Sequence, residues 1–148
     1  MATGYNIVTH KYNAPDGMLA WTHAYDNVPN QAEDRVSDML VDKDANIYLA
    51  GKSYNGAGVL EDHVTYSLDH FGMQRWIVGG NIAVNWEFYS GAAHGTDFAV
   101  AVRLVGVEAG AVNHAGDVCV LGQATELNAS GAKVQRYTVV RYDQLIPP

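Results

Sequence analysis

Apolar residues along this chain recur at every second position, in short runs separated by Gly, Asn, Asp and Pro. In the run at 46–51, Ile47 and Leu49 fall on one face and Tyr48 and Ala50 on the other, which is the alternation of a β-strand. The turn-forming residues between the runs fit short hairpin connections. We therefore predict an all-β chain with strands at 6–12, 18–25, 35–41, 46–51, 63–68, 73–78, 98–105, 118–123 and 134–142.

The order of these predicted strands repeats along the chain. The segment at 8–13 returns at 64–69 (64 − 8 = 56), Trp21 returns as Trp76, and a third start lies at 138–143. The hairpin ending at Gly51 returns with its end at Gly122 (122 − 51 = 71). A repeat of this length predicts an array of small stacked units. We expect one domain over residues 1–148, with repeat units at about 5–56 and 61–126 and a final strand at 134–142.

Each unit runs through a strand ending in Lys-Tyr-Asn or Ser-Leu-Asp, a turn with Gly, a strand with Trp, an acidic residue and a hairpin that ends in Gly. This order resembles the β-propeller repeat of bacterial surface proteins, whose unit has a strand ending in Lys-Tyr-Asp, an Asn/Gly turn, a strand with Trp, a Glu-Asp pair and a hairpin of the form Val-Asp-x-x-Gly-Asn-x-Tyr-x-x-Gly. The first unit matches it at Lys11, Tyr12, Asn13, Gly17, Trp21, Glu33, Asp34, Val41, Asp42, Asn46, Tyr48 and Gly51. The second unit matches it at Leu68, Asp69, Gly72, Trp76, Asp97, Val112, Asn113, Gly116, Asp117 and Gly122.

The resemblance implies propeller-like, four-stranded blades, and the number of predicted strands is too small for such a ring to close. A propeller needs at least about four blades, whereas this chain supplies two and one extra strand. An open pair of blades exposes apolar flanks and unpaired strand edges. Three outcomes follow: the chain self-associates into a ring, it is a fragment, or its units form a small β-sandwich or barrel. We expect self-association, with a dimer bringing together four blade-equivalents and the strand at 134–142 available for exchange.

Charge and cysteine content exclude several classes of function. The chain has 148 residues and a net charge of −7, so nucleic acid and anionic membranes are not expected partners. The single cysteine, Cys119, lies in an apolar run and is expected to be a buried, inert thiol. No signal peptide or membrane-spanning run is present in this sequence. We expect a soluble chain, with its compartment left open.

Two polar segments and the scattered histidines are candidate chemical sites, and no cofactor is expected at any of them. Glu61, Asp62 and His63 form the densest cluster and could hold a cation or act as an acid and base, but the favoured interpretation is an exposed strand start that carries polar side chains. The segment at 42–46 alternates oxygen ligands as a calcium loop does, but Ile47 occupies the position of the required glycine. The six histidines lack the spacing of a zinc site, so no metal site is predicted.

The better functional lead is an aromatic insertion at 82–94, which has no counterpart in the first unit. Aromatic residues favour surfaces with one apolar and one wet side. We expect a binding patch that includes Trp86, Phe88 and Tyr89, with His94 and Asp97 as the nearest polar groups. The alternative is that these aromatic residues only pack the insertion onto the rest of the chain. The predicted function is a non-enzymatic binding or assembly module, with a small molecule, a carbohydrate or a protein as further partner. The alternative is a small hydrolase or lyase with a pocket near His94 and Asp97.

Overall fold

A computed structural model describes residues 5–25, 33–54, 61–75, 86–89, 95–105 and 117–142 of the chain. Within these ranges the chain forms strands and no helix, so the all-β prediction is confirmed. The strands are β1 (Ile7–Tyr12), β2 (Leu19–Tyr25), β3 (Arg35–Val41), β4 (Ile47–Tyr54), β5 (Glu61–Leu68), β6 (Trp86–Tyr89), β7 (Phe98–Val105), β8 (Asp117–Leu127) and β9 (Lys133–Tyr142).

The strands form three antiparallel sheets. The first sheet is β1-β2, the middle sheet is β3-β4-β5-β6 and the third sheet is β7-β8-β9. The middle and third sheets each join the hairpin at the end of one repeat to the first strand of the next repeat. The sheets are therefore offset by about half a unit from the sequence repeats at 5–56 and 61–126. As a result, the described residues form three sheets where the repeat count implied two blades.

The sheets stack face to face, with the middle sheet between the other two, and they do not close into a barrel in the part of the chain described. One core, between the first and middle sheets, contains Ile7, Tyr25, Ile47, Leu49, Val64, Tyr66 and Leu68, with Trp21 packed against it. The other, between the middle and third sheets, contains Tyr48, Ala50, Ala99, Val102, Val118, Val120 and Tyr142. Because β5 lies in the middle of the stack, every residue from Asp62 to Leu68 is buried.

Strand pairing in the middle sheet recurs in the third sheet with the same register. Ile47 of β4 lies opposite Leu68 of β5, and Val118 of β8 lies opposite Tyr142 of β9. The sequence repeat relates β4 to β8 (118 − 47 = 71), and a similar shift relates β5 to β9 (142 − 68 = 74). Register on a two-faced sheet decides which side chains share a face. The two sheets therefore present equivalent residues on equivalent faces.

A β-bulge also recurs at the same place. The register shifts just after Val36 on β3 and just after Ala99 on β7. Each of these residues pairs with a glycine, Val36 with Gly51 and Ala99 with Gly122. A Cβ on either glycine would collide with the carbonyl oxygen of the residue preceding that partner. Glycine at this position lets the bulged strand approach closely.

The same backbone hydrogen bond connects successive sheets at two places in the chain. The amide nitrogen of Asp34, just before β3, donates a 2.6 Å hydrogen bond to the carbonyl oxygen of Tyr5, just before β1. The amide nitrogen of Asp97, just before β7, donates a 2.6 Å bond to the carbonyl oxygen of Glu61, at the start of β5. The first sheet thus joins the middle sheet by the same backbone contact that joins the middle sheet to the third.

Trp21 and Trp76 occupy equivalent positions in the two sequence repeats, which predicts that both are core residues. Trp21 lies in β2 and is half-buried rather than fully buried. Its Nε1 donates a 3.0 Å hydrogen bond to the carbonyl oxygen of His70, and its ring packs against Gly72. Trp21 therefore ties the first sheet to the turn after β5. Trp76 lies outside the described residues.

Candidate functional site

The aromatic segment Trp86–Tyr89 is a strand, which corrects its interpretation as an insertion with no counterpart in the first unit. Trp86–Tyr89 forms β6 and pairs with β5, with Tyr89 opposite His63. This is the register in which Tyr25 of β2 lies opposite Ile7 of β1 (63 − 7 = 56). Thus β6 takes the place that the sequence assigned to a strand at 73–78, where only Gln74 forms an isolated bridge and residues 76–78 lie outside the described ranges.

Of the two predicted polar partners of this patch, the structure describes Asp97. His94 lies outside the described residues. Asp97 is fully buried, and its Oδ1 accepts a 2.6 Å hydrogen bond from the amide nitrogen of Thr125 on β8. Its repeat counterpart, Asp34 (97 − 34 = 63), is also buried and accepts a hydrogen bond from the Ser53 hydroxyl on β4. Both carboxylates fasten the start of a sheet to its neighbouring strand.

Glu61, Asp62 and His63 are consecutive residues of β5, so their side chains alternate between the two faces of the middle sheet and do not form one cluster. Glu61 forms a 2.5 Å ion pair with Lys52 of β4. The His63 imidazole is fully buried, fills the space left by Gly122, and its Nε2 donates to the carbonyl oxygen of Gln123 at 3.0 Å. Burial lowers the pKa of His63 below its usual value, because an imidazolium there would lose its hydration. The neutral ring acts as a spacer between the middle and third sheets.

The calcium-like segment at 42–46 is a hairpin turn. Asp42 Oδ1 accepts the amide hydrogens of Asp44 and Asn46, and Oδ2 accepts from the side chains of Asn46 and Tyr48. The carboxylate is thus occupied by donors of its own hairpin. No group of three or more His, Cys, Asp or Glu side chains able to hold a metal ion occurs among the residues that the structure describes.

The outer face of the third sheet is largely uncovered. We define it by the alternate positions of β8 and β9 that point away from the middle sheet. Its members are Cys119, Leu121, Gln123, Tyr137, Val139 and Arg141, as the pairing of β8 with β9 requires. Tyr137 is 84% exposed and Val139 is 66% exposed. Arg141 forms an ion pair with Asp117 at the end of this face. Cys119, expected to be buried, is half-buried here, because none of the three described sheets covers it.

The outer face of the first sheet carries a second apolar surface at the opposite end of the stack. Its members are Val8, His10, Tyr12, Leu19, Thr22 and Ala24, on the side of β1 and β2 that points away from the middle sheet. Val8 is 49% exposed and Tyr12 is 59% exposed. His10 Nδ1 and the Thr22 hydroxyl are 2.9 Å apart across the hairpin. Exposed apolar patches on proteins often mark interaction sites.

A depression of about 150 Å³ on the third sheet is lined by Gln123, Gln135, Arg136 and Tyr137. Pockets for drug-sized ligands usually enclose roughly 300–1,000 Å³. This depression is smaller than such pockets, and the two exposed outer faces are our candidates for a functional surface. The sequence did not identify them, because their membership depends on which sheet lies at each end of the stack.

No model of a known protein family matches this chain, and no curated protein matches it in sequence. In the ranges that the structure covers, no helix is long and apolar enough to cross a membrane.

Proposed function

We propose that this chain is a non-enzymatic assembly module that works by self-association, built from propeller-like β repeats. The observation that carries this proposal is the pair of uncovered outer faces at the two ends of a stack whose internal contacts are repeated. Burial of apolar side chains is the main source of free energy in association. Tyr12, Tyr137 and Val139 are among the exposed residues that association would cover.

Three features support the resemblance to propeller repeats. The middle sheet has four strands in consecutive antiparallel order. The shared register, bulge and glycine in the middle and third sheets are what a chain of equivalent blades requires. The backbone bonds from Asp34 to Tyr5 and from Asp97 to Glu61 join successive sheets identically. Radial repetition of such sheets is one way in which all-β proteins protect their strand edges.

Sedimentation velocity of the purified chain over a roughly hundredfold range of concentration tests this proposal. We expect a discrete species larger than the monomer, with a dimer as its smallest form, that dissociates on dilution. A species that remains monomeric throughout would contradict the proposed function. A specific interface of this kind should bury more than about 1,000 Å² in total.

A further inference from the structure

The contacts inside the chain define a rule of stacking. Ala50 and Thr65 lie on the face of the middle sheet that the third sheet covers, and both are at most 1% exposed. Val64 and Leu68 lie on the opposite face, which the first sheet covers, and they are buried to the same degree. Each sheet therefore uses one kind of face toward the sheet that follows it and another kind toward the sheet that precedes it.

The outer face of the third sheet is the kind that packs on a following sheet. By the shared register, Leu121 corresponds to Ala50 (121 − 50 = 71) and Val139 corresponds to Thr65 (139 − 65 = 74). In the middle sheet these positions are covered by the next sheet along the chain. In the third sheet both positions are open, because the chain contributes no described sheet beyond β9.

The outer face of the first sheet is the kind that packs on a preceding sheet. Val8 and Tyr12 of β1 correspond to Val64 and Leu68 of β5 (64 − 8 = 56 and 68 − 12 = 56). In β5 these positions are covered by the sheet before it. In β1 they are exposed. The two ends of the stack thus carry different kinds of face. These are the two kinds of face that pack against each other where successive sheets meet inside the chain.

We propose that the outer face of the third sheet in one copy packs on the outer face of the first sheet in a second copy, so that the stack continues head to tail. This inference rests on the proposed self-association and specifies its geometry. A head-to-tail contact is heterologous, and it produces a closed ring or an open filament according to the rotation at each step. Two copies that close on each other would stack six sheets, within the usual range of about four to eight propeller blades.

The test uses one substitution on each outer face and sedimentation velocity of the full chain. Val8→Lys disrupts the first-sheet face, Val139→Glu disrupts the third-sheet face, and Phe71→Lys changes an exposed turn residue on neither face. We expect each face variant to raise the dissociation constant of self-association by about tenfold or more, equal to about 1.4 kcal/mol. The Phe71→Lys control should associate as the parent chain does.

Mixing the two face variants separates the geometries. In a head-to-tail contact the mixture restores association, because the intact third-sheet face of Val8→Lys meets the intact first-sheet face of Val139→Glu. If the interface pairs identical faces, one of the two variants still associates alone as the parent does. That result, or a mixture that associates no better than its components, overturns this inference while leaving the proposed function in place. A monomeric parent chain overturns both.

Circular dichroism establishes that each variant is folded before it is compared. Val8→Thr and Val139→Thr serve as a second pair, since they keep the β-branched shape that suits a strand while making the face polar. This second pair should show the same pattern with a smaller effect. Unchanged association in both threonine variants, together with unchanged association in both charged variants, would also overturn the inference.

Discussion

Replacing Ala45 with glycine should stabilise this protein, because Ala45 has a backbone conformation that suits glycine. Ala45 is the fourth residue of the turn at 42–46, and its φ is 61°. The corresponding positions of the turns at 69–73 and 128–132 are Gly72 and Gly131, with φ of 82° and 79°. All three turns share the same backbone bonds and a side-chain oxygen at their first residue that accepts amide hydrogens. Alanine therefore occupies, in one of these three turns, the position that glycine occupies in the other two.

The expected magnitude follows from two opposing effects. A left-handed conformation costs a residue with a Cβ roughly 1–2 kcal/mol. Glycine also lowers the free energy of unfolding by about 0.4–1 kcal/mol, because it gives the unfolded chain more conformational freedom. Ala45→Gly should therefore raise the free energy of unfolding by about 0.5–1 kcal/mol. For a domain of this size that corresponds to about 1–4 °C in Tm.

Urea and thermal unfolding, followed by tryptophan fluorescence at one fixed protein concentration, measure the change. Gly131→Ala is the matched reverse substitution: nothing lies within 4 Å of where its Cβ would be, so the conformational cost alone should destabilise the protein by a similar amount. Ala14→Gly, in an exposed turn where φ is not positive, should instead destabilise slightly. The reasoning is refuted if Ala45→Gly lowers the free energy of unfolding while Gly131→Ala leaves it unchanged.

Two further substitutions test the stacking and the turn chemistry. Gly122→Ala should destabilise by roughly 1–3 kcal/mol or more, because the new Cβ would overlap the His63 ring and the Phe98 carbonyl oxygen; an unchanged urea midpoint would show that the bulge is not tightly packed. Asp42→Asn should destabilise at neutral pH, because burial opposes ionisation of Asp42 but hydrogen bonds from Asn46 and Tyr48 outweigh it and lower the pKa. Because the pKa of Asp42 is lower in the folded protein than the unfolded value of 3.8, its ionisation stabilises the fold above that pH and this stability is lost at lower pH. The free energies of unfolding of the parent and of Asp42→Asn, measured in urea, should therefore converge as the pH falls below 3.8. A difference that is constant with pH would contradict this.

The alternation of apolar residues was sufficient to predict most strands and their repeated pairing. The sequence showed that Gly51 and Gly122 are equivalent positions. It did not show that each lies opposite a β-bulge. The edge strand β6 was missed because a longer connection separates it from β5, and strand pairing depends on tertiary contacts that periodicity does not contain. A signal was present: Tyr89 precedes Asp97 by eight residues much as Tyr25 precedes Asp34 by nine.

Burial on both faces of β5 could not be predicted from the strand itself. His63 and Thr65 are polar, and polar residues at alternate positions usually indicate a solvent-facing side. They are buried because the middle sheet lies between two others, which is a property of the stack rather than of any one strand. The same reasoning explains why the outer faces were not identified: the residues equivalent to Thr65 and Val64 are exposed only at the ends of the stack.

Hydroxyl-radical footprinting of the unmodified chain at low and high concentration tests the central claim most directly. Tyr12 and Tyr137 report on the two outer faces, and both rings are exposed in the single chain. If copies associate head to tail, both tyrosines become less reactive together as the concentration rises, while the turn residue Phe71 stays reactive. Protection of only one of the two tyrosines, or of neither when a larger species is present, would contradict the account.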